Sequence, residues 1–302
     1  TPMTEDGIAF DEYGKLLDYV IEGGADSVIV GGTTGEPATM TEEERISMFR
    51  YAVKKVAHRV PVIIGTGSNN TAAKKPIGSR ARIVFGSGSN STQNTVEASK
   101  RAESLGADGL LVVTPYYNKC TQDGLIAHYT AIADAVSLPI MLYNVPTRTG
   151  LRIAPATAAK LSEHKNIVAI KDASENIDDL LAMCRECAGK LDIYSGNDSY
   201  TVFLMALGAL GVVSVVANVA PRQMKEVTDA CFAGDYAKAR ALSFRLDPLA
   251  KAMFSEVNPI PAKKAVELIG IKAGKPRLPL TELTPEHTEQ LKKVMADLGI
   301  IK

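Results

Sequence analysis

The sequence predicts an α/β fold built on a parallel sheet, and two observations carry that prediction. Short apolar runs bounded by turn formers alternate with amphipathic stretches along most of the chain. That alternation, with short connections, is the pattern of right-handed βαβ units. Beyond residue 215 the pattern becomes wholly helical, with stretches at 222–232, 236–254, 261–269 and 285–298. One of these completes the alternating unit and the other three pack beside it.

Taken in order, strands are expected at 27–30, 62–64, 109–113, 140–143, 167–170, 192–195 and 212–215. Helices are expected at 10–21, 41–57, 92–105, 121–135 and 177–188. Thr41 followed by Glu44 has the spacing of a capping box, which fixes the start of the second helix. Thr1-Pro2-Met3 reads as the stub of a further strand whose body precedes residue 1. With it, the count fits a (β/α)8 TIM barrel with a C-terminal helical extension. A seven-stranded open sheet is the alternative, but it needs a topological switch point that the pattern does not contain. The expected division is a barrel over residues 1–233 and a helical subdomain over 234–302.

One segment breaks the rhythm. Gly65-Thr66-Gly67-Ser68-Asn69-Asn70-Thr71 recurs as Gly86-Ser87-Gly88-Ser89-Asn90-Ser91-Thr92, identical at five of seven positions with an offset of 21. Strand-like runs precede both copies, at 62–64 and 83–85, and Lys74, Lys75, Arg80 and Arg82 lie between them. Two copies are too few for a repeat architecture, so this is a local tandem duplication. Residues 57–60 lead directly into 62–64, so that run is expected to be the barrel strand. The second copy runs into the 92–105 helix and is expected to supply its start. Residues 71–91 are then an excursion.

Composition narrows the function. Lys+Arg and Asp+Glu are equal at 34 each, so no net field recruits nucleic acid or an anionic membrane. Trp is absent and aromatic residues make up 6%, which weakens a base-stacking role. Four cysteines in 302 residues are not a disulfide framework, which suits a reducing cytosol. Cys184 and Cys187 form a C-x-x-C inside a helical pattern, with Cys120 and Cys231 too far off in sequence to match a zinc spacing. They read as structural thiols. The four histidines, His58, His128, His164 and His287, fall in helical or flanking stretches and are expected at the surface. The N-terminus has no basic-then-apolar signal region, and the weakly polar run 206–217 is too short to span a bilayer. The expected location is the cytoplasm.

The chemistry gathers where strands end. The run Ile167-Val168-Ala169-Ile170 reads as a buried strand, and Lys171 follows at its carboxyl end, where α/β folds place their active sites. Desolvation of an amine favours its neutral form, and the neutral amine is what attacks a carbonyl to form a Schiff base. On this stretch alone, an ordinary strand-end lysine pointing at water is the favoured reading. Four more motifs change that balance. Gly31-Gly32-Thr33-Thr34-Gly35-Glu36 offers backbone N–H groups and two hydroxyls to an anion. It has neither the G-x-G-x-x-G spacing nor the terminal lysine of a nucleotide loop. Tyr143-Asn144-Val145-Pro146-Thr147-Arg148-Thr149-Gly150 adds a phenol to pass protons and a guanidinium to bind a carboxylate. Thr114-Pro115-Tyr116-Tyr117 adds two more phenols, and Ser195-Gly196-Asn197-Asp198 a tight turn. Nothing in the sequence has metal-ligand spacing.

With these residues in view, the chain resembles the dihydrodipicolinate synthase and N-acetylneuraminate lyase superfamily of Schiff-base aldolases. The resemblance spans nearly the whole chain and rests on Gly32-Thr33-Thr34-Gly35-Glu36, Tyr143-Asn144-Val145-Pro146 and Ile170-Lys171-Asp172. Thr33, where the lyases usually have serine, and Arg148-Thr149-Gly150 are similar to the synthase branch. The resemblance implies that Lys171 forms a Schiff base with pyruvate and that Thr34 holds the pyruvate carboxylate. Tyr143 would shuttle protons, linked to Thr33 and to Tyr117 of a neighbouring subunit. Arg148 would bind L-aspartate 4-semialdehyde, and Gly196 and Val213 would line the Lys171 pocket. The implied reaction is a condensation to 4-hydroxy-tetrahydrodipicolinate, in lysine and diaminopimelate biosynthesis. A homotetramer (a dimer of dimers) without cofactor or metal would carry it out. Lysine-sensitive relatives carry a histidine and a glutamate where this chain has Arg45 and Asn94, although Tyr116 and Asn90 match, which implies no feedback inhibition by lysine.

Two other readings stand beside this one. A sibling aldolase acting on N-acetylneuraminate or a 2-keto-3-deoxy sugar acid would be favoured if Arg148 turned away from the cavity. A non-catalytic barrel would need none of Lys171, Tyr143, Thr33 and Thr34, yet all four occur together.

Overall fold

The computed structural model describes residues 1–64, 83–86, 88–104 and 109–302. The chain divides into two compact units, Ile63–Val213 and a discontinuous one made of Thr1–Val62 with Ser214–Lys302.

The Ile63–Val213 unit is organised by parallel strands in sequence order: Ile83–Gly86, Gly109–Val113, Ile140–Asn144, Ile167–Asp172 and Asp192–Ser195. A single bridge from Ser195 to Val212 continues the series. The strands are nearly continuous apolar runs because both faces are covered, as parallel sheets require. Leu110, Val112, Ile140, Leu142 and Ile170 are fully buried. The helices Thr92–Ser104, Gln122–Ala135, Pro155–Leu161 and Ile177–Glu186 alternate with them. Thr121 and Asn176 cap the second and fourth, each accepting a hydrogen bond from a backbone N–H in the first turn.

The other unit carries a two-residue antiparallel hairpin, Met3–Thr4 with Gly7–Ile8, in place of the expected strand stub. The helix Phe10–Glu22, the strand Val28–Val30 and the helix Glu42–Val56 follow. Val28 N–H donates to the Pro61 carbonyl at 3.0 Å, so the chain entering Val62–Ile64 runs beside this strand. The expected capping box is present in full: Glu44 N–H donates to Thr41 Oγ1, and Thr41 N–H to the Glu44 carboxylate. Helices Pro221–Phe232, Tyr236–Ala252, Ile260–Leu268 and Pro285–Asp297 make the helical tail. Among the described residues, no helix is long and apolar enough to cross a membrane.

Three further expectations are corrected. Residues 71–91 are not wholly an excursion. Ile83–Gly86 is a strand, with Val84, Phe85 and Gly86 paired in parallel with Gly109, Leu110 and Leu111. The run that leads into the second copy is therefore a sheet strand, and the copy itself, after Gly88–Ser91, supplies the start of the following helix. The β-branched and aromatic run Ile83-Val84-Phe85 suits a pleated ladder, and its continuity with Thr92 puts it in reach of one. The first copy, Gly65 to Thr71, and the basic stretch after it lie outside the described residues. Residues 212–215 form one bridge rather than a strand. Gly211 sits at φ +146°, and Val216–Asn218 has already tightened into a 3₁₀ turn. His128 is buried rather than on the surface, because its helix face packs inward with Leu125, Tyr129 and Ile132. The cysteines do read as structural thiols: Cys184, Cys187 and Cys231 are buried, and burial pushes all three up from the usual thiol range.

Candidate active site

Lys171 is the last residue but one of the Ile167–Asp172 strand rather than the residue just after it. Its neighbour across the ladder is Tyr143, near the end of Ile140–Asn144. Cross-strand partners share a face, and the Lys171 Nζ stands 4.2 Å from the centroid of the Tyr143 ring. An amine and a phenol are thus side by side at the carboxyl end of two adjacent parallel strands.

The next rung points to the opposite face and is buried. Asn144 and Asp172 are each 2% exposed, and Asn144 Nδ2 donates to Asp172 Oδ2 at 2.9 Å. Ser174 N–H donates to Asp172 Oδ1 at 2.7 Å, and Ile153 N–H to Asn144 Oδ1 at 3.0 Å. Burial holds the Asp172 carboxyl above the usual carboxylate range, opposed by the hydrogen bonds from Ser174 and Asn144. This rung was not singled out in the sequence, where an Asn and an Asp 28 positions apart carry no signal of pairing.

Gly196 N–H donates to the Asp172 carbonyl at 2.6 Å. A Cβ at Gly196 would stand 2.7 Å from the Ala173 Cβ and 3.0 Å from that carbonyl. Only glycine permits this approach of the 195–198 turn to the strand that carries Lys171. Val213 N–H donates to the Ser195 carbonyl at 2.8 Å, which ties residue 213 to the same turn.

Arg148 stands exposed in the short helix Pro146–Thr149. Thr149 in that helix is anchored by Thr114, whose Oγ1 donates to Thr149 Oγ1 at 2.9 Å. Tyr117 is 86% exposed and adopts a left-handed backbone conformation, φ +69°. A large aromatic ring turned fully outward on a strained backbone is uncommon in a chain that keeps its surface to itself.

Thr33 and Thr34 belong to the other unit, in the 3₁₀ turn Thr33–Gly35 after the Val28–Val30 strand. Gly31, at φ +73°, turns the chain into it. Asn258 Nδ2 donates to Thr34 Oγ1 at 3.0 Å. Glu36, left-handed at φ +60° and buried, closes the turn. Its carboxylate receives Lys263 Nζ at 2.7 Å and Arg277 N–H at 3.2 Å. Burial lowers Lys263 from the usual lysine range, and Glu36 acts against that. Asn258 and Lys263 were missed in the sequence, and Glu36, though part of the Gly31–Glu36 motif, had no role assigned, since more than 220 positions separate the loop from its supports. Among the described residues no cluster of His, Cys, Asp and Glu could hold a metal ion.

A model of the Dihydrodipicolinate synthetase family matches residues 1–74 and 71–298, with the break inside the duplicated region. A 4-hydroxy-tetrahydrodipicolinate synthase of Thermoanaerobacter sp. (strain X514) is 45% identical over 303 residues, covering 100% of this chain and 95% of the relative. Among solved structures, the dihydrodipicolinate synthase of Thermotoga maritima superposes with a TM-score of 0.89 at 39% identity, covering 100% of this chain and 96% of that one. The chloride-inhibited dihydrodipicolinate synthase of Acinetobacter baumannii, complexed with pyruvate, gives 0.88 at 40% identity, with 100% and 97% covered. The fold is therefore the α/β TIM barrel with a helical C-terminal extension, as the sequence predicts, and the enzyme class is lyase. By sequence over its whole length and by fold, the chain belongs to the dihydrodipicolinate synthetase family.

Proposed function

We propose that this protein condenses pyruvate with L-aspartate 4-semialdehyde through a Schiff base on Lys171, giving 4-hydroxy-tetrahydrodipicolinate. The observation that carries the reading is the Lys171 amine 4.2 Å from the Tyr143 ring, at the carboxyl ends of paired strands. The name of the Thermoanaerobacter relative and the pyruvate in the Acinetobacter baumannii structure support the choice of reaction and first substrate.

The amine of Lys171 adds to the keto carbon of pyruvate, and loss of water leaves an iminium. Loss of a methyl proton gives an enamine, whose carbon attacks the aldehyde of the semialdehyde. The amino group of the semialdehyde portion then displaces Lys171 from the iminium, which closes the ring and frees the enzyme. Tyr143 carries the protons of these steps, relayed through Thr33 and through Tyr117 of a neighbouring subunit. Thr34 holds the pyruvate carboxylate, Arg148 the carboxylate of the semialdehyde, and Gly196 and Val213 line the space around the lysine. The outward, left-handed Tyr117 supports delivery to a neighbour, and with it a homotetramer built as a dimer of dimers. The chemistry asks for no cofactor. We assign the barrel to residues 1–233 and the helical subdomain to 234–302, and place the protein in the cytoplasm, in lysine and diaminopimelate biosynthesis.

Purified protein given both substrates should consume pyruvate and semialdehyde in equal amounts and yield their condensation product by mass spectrometry. Release of pyruvate from N-acetylneuraminate, with no turnover of the semialdehyde, would overturn the assignment in favour of a sibling aldolase.

A further inference from the structure

The ladder between Ile140–Asn144 and Ile167–Asp172 is not regular. Ile140 pairs with Ile167, but Met141 pairs with Ala169, so Val168 is an extra residue in the second strand. Val168 is 40% exposed, as a bulged residue released from the pleat would be. Without the bulge, the register set by Ile140 and Ile167 would place Tyr143 opposite Ile170 and Lys171 opposite Asn144. Because side chains alternate with period two, that one-residue slip would also turn Lys171 to the other face of its strand. The contact between the amine and the phenol exists only in the bulged register.

Something beyond the bulge must hold that register, since a regular ladder is the default. The rung that follows Tyr143 and Lys171 does so. Asn144 and Asp172 meet through a buried side-chain hydrogen bond of 2.9 Å, and each is tied elsewhere by a backbone N–H, Ile153 to Asn144 and Ser174 to Asp172. In the slipped register Asp172 would pass beyond the end of the first strand and leave its partner, and a buried carboxylate without its donors is costly. An apolar rung would fill the space as well but would not select one register over the other. We infer that the Asn144–Asp172 pair is a positioning device that locks the bulged register and so holds Lys171 against Tyr143. The role of that contact in catalysis rests on the function proposed above; the register itself does not.

Three variants separate the possibilities. Asn144→Asp sets two buried carboxylates against each other, and such a pair must share a proton. Its rate of borohydride-trappable adduct formation with pyruvate should fall at least tenfold at pH 8 and recover in part as the pH is lowered. Asp172→Leu should show the same loss without the pH-dependent recovery. The exchanged pair, Asn144→Asp with Asp172→Asn, can rebuild every hydrogen bond with the donor on the other strand. It should return to within about threefold of the wild-type rate. A crystal structure of Asn144→Asp reads the register directly, and Lys171 should have moved away from Tyr143. The inference is overturned if the folded single variants keep the wild-type register and adduct rate, or if the folded exchanged pair stays as slow as Asn144→Asp. Wild-type protein that forms no adduct would instead refute the proposed function, leaving the register measurement to decide this inference on its own.

Discussion

The strand-end pair and the Gly31–Glu36 loop are both held in place by buried polar partners, but with opposite chemistry. Around Lys171 and Tyr143 the supports are neutral donors or groups pushed toward neutrality. Asn144 and Ser174 serve Asp172, and Thr114 serves Thr149. Burial raises Asp172, and it also lowers His128, in the same unit, to about 4. Around Thr33 and Thr34 one support is a neutral amide, Asn258 on Thr34, and the rest are formal ions: Lys263 on Glu36, with side chains 5% and 1% exposed, and Arg277 on Glu44 through two hydrogen bonds of 2.6 and 2.7 Å. A site that is to work on an amine profits from few fixed charges beside it. A loop that receives an anion, as proposed for Thr34, tolerates them, provided each is paired. The two regions should therefore fail in different ways.

The largest effect should come from the neutral region. Tyr143→Phe keeps the ring that lies beside Lys171 and removes only the hydroxyl. Turnover should fall by about 10²–10⁴-fold, the usual size of a proton-transfer contribution, with no change in the melting temperature. Stopped or coupled assays of the variant beside the wild type would check it; an unchanged kcat would remove Tyr143 from the proton path.

In the ionic region the loss should appear as stability. Lys263→Met leaves Glu36 buried without its cation and should destabilise the fold by about 3–5 kcal/mol in denaturant titration. Adding Glu36→Gln removes the stranded charge and should recover most of that loss. If Lys263→Met alone were neutral, the ion pair would not be what holds the loop.

A smaller effect distinguishes the regions by pH. His128 is buried in the helix Gln122–Ala135, with Nδ1 2.9 Å from Thr92 Oγ1, and burial lowers it from 6.5 to about 4. Between those values the unfolded chain binds a proton that the folded one does not. Stability is thus fully present above about pH 6.5 and is lost as the pH falls toward 4, by about 3 kcal/mol in all. His128→Gln should lack that share of the slope when urea midpoints are compared at pH 7 and pH 4.5.

The smallest expected effect is none. Arg45 is a buried cation and Asn94 an exposed amide, at the two positions where the family resemblance implies a histidine and a glutamate in a lysine-sensitive enzyme. Neither supplies an anion for lysine's amino group, so millimolar lysine should leave the rate unchanged. Clear inhibition would mean that other residues bind it.

How far these differences could be read in advance depended on sequence distance. The Thr41–Glu44 box, the helix beginning at Thr92 and the strand Gly109–Val113 are written in local periodicity and capping chemistry, and the structure has them where the pattern puts them. Lys171 was legible because an apolar run ends on it. The bulge at Val168 was not, since a run of four apolar residues looks the same with or without an extra one. Glu36 with Lys263 and Asn144 with Asp172 are encounters made by folding, and no local rule announces them. His128 misled because a histidine on an amphipathic helix usually faces water, while here its neighbours at 125, 129 and 132 all face the core. The duplication misled in a related way. The short connection at 57–60 favoured 62–64 as the strand, and only pairing with Gly109–Leu111 identified Ile83–Gly86 as a sheet strand as well.

The most direct test of the account is covalent. Protein incubated with pyruvate and reduced with borohydride should gain one pyruvate-derived adduct per chain, and peptide mapping should place it on Lys171. Label on a different lysine, or none on folded protein, would contradict the account at its centre.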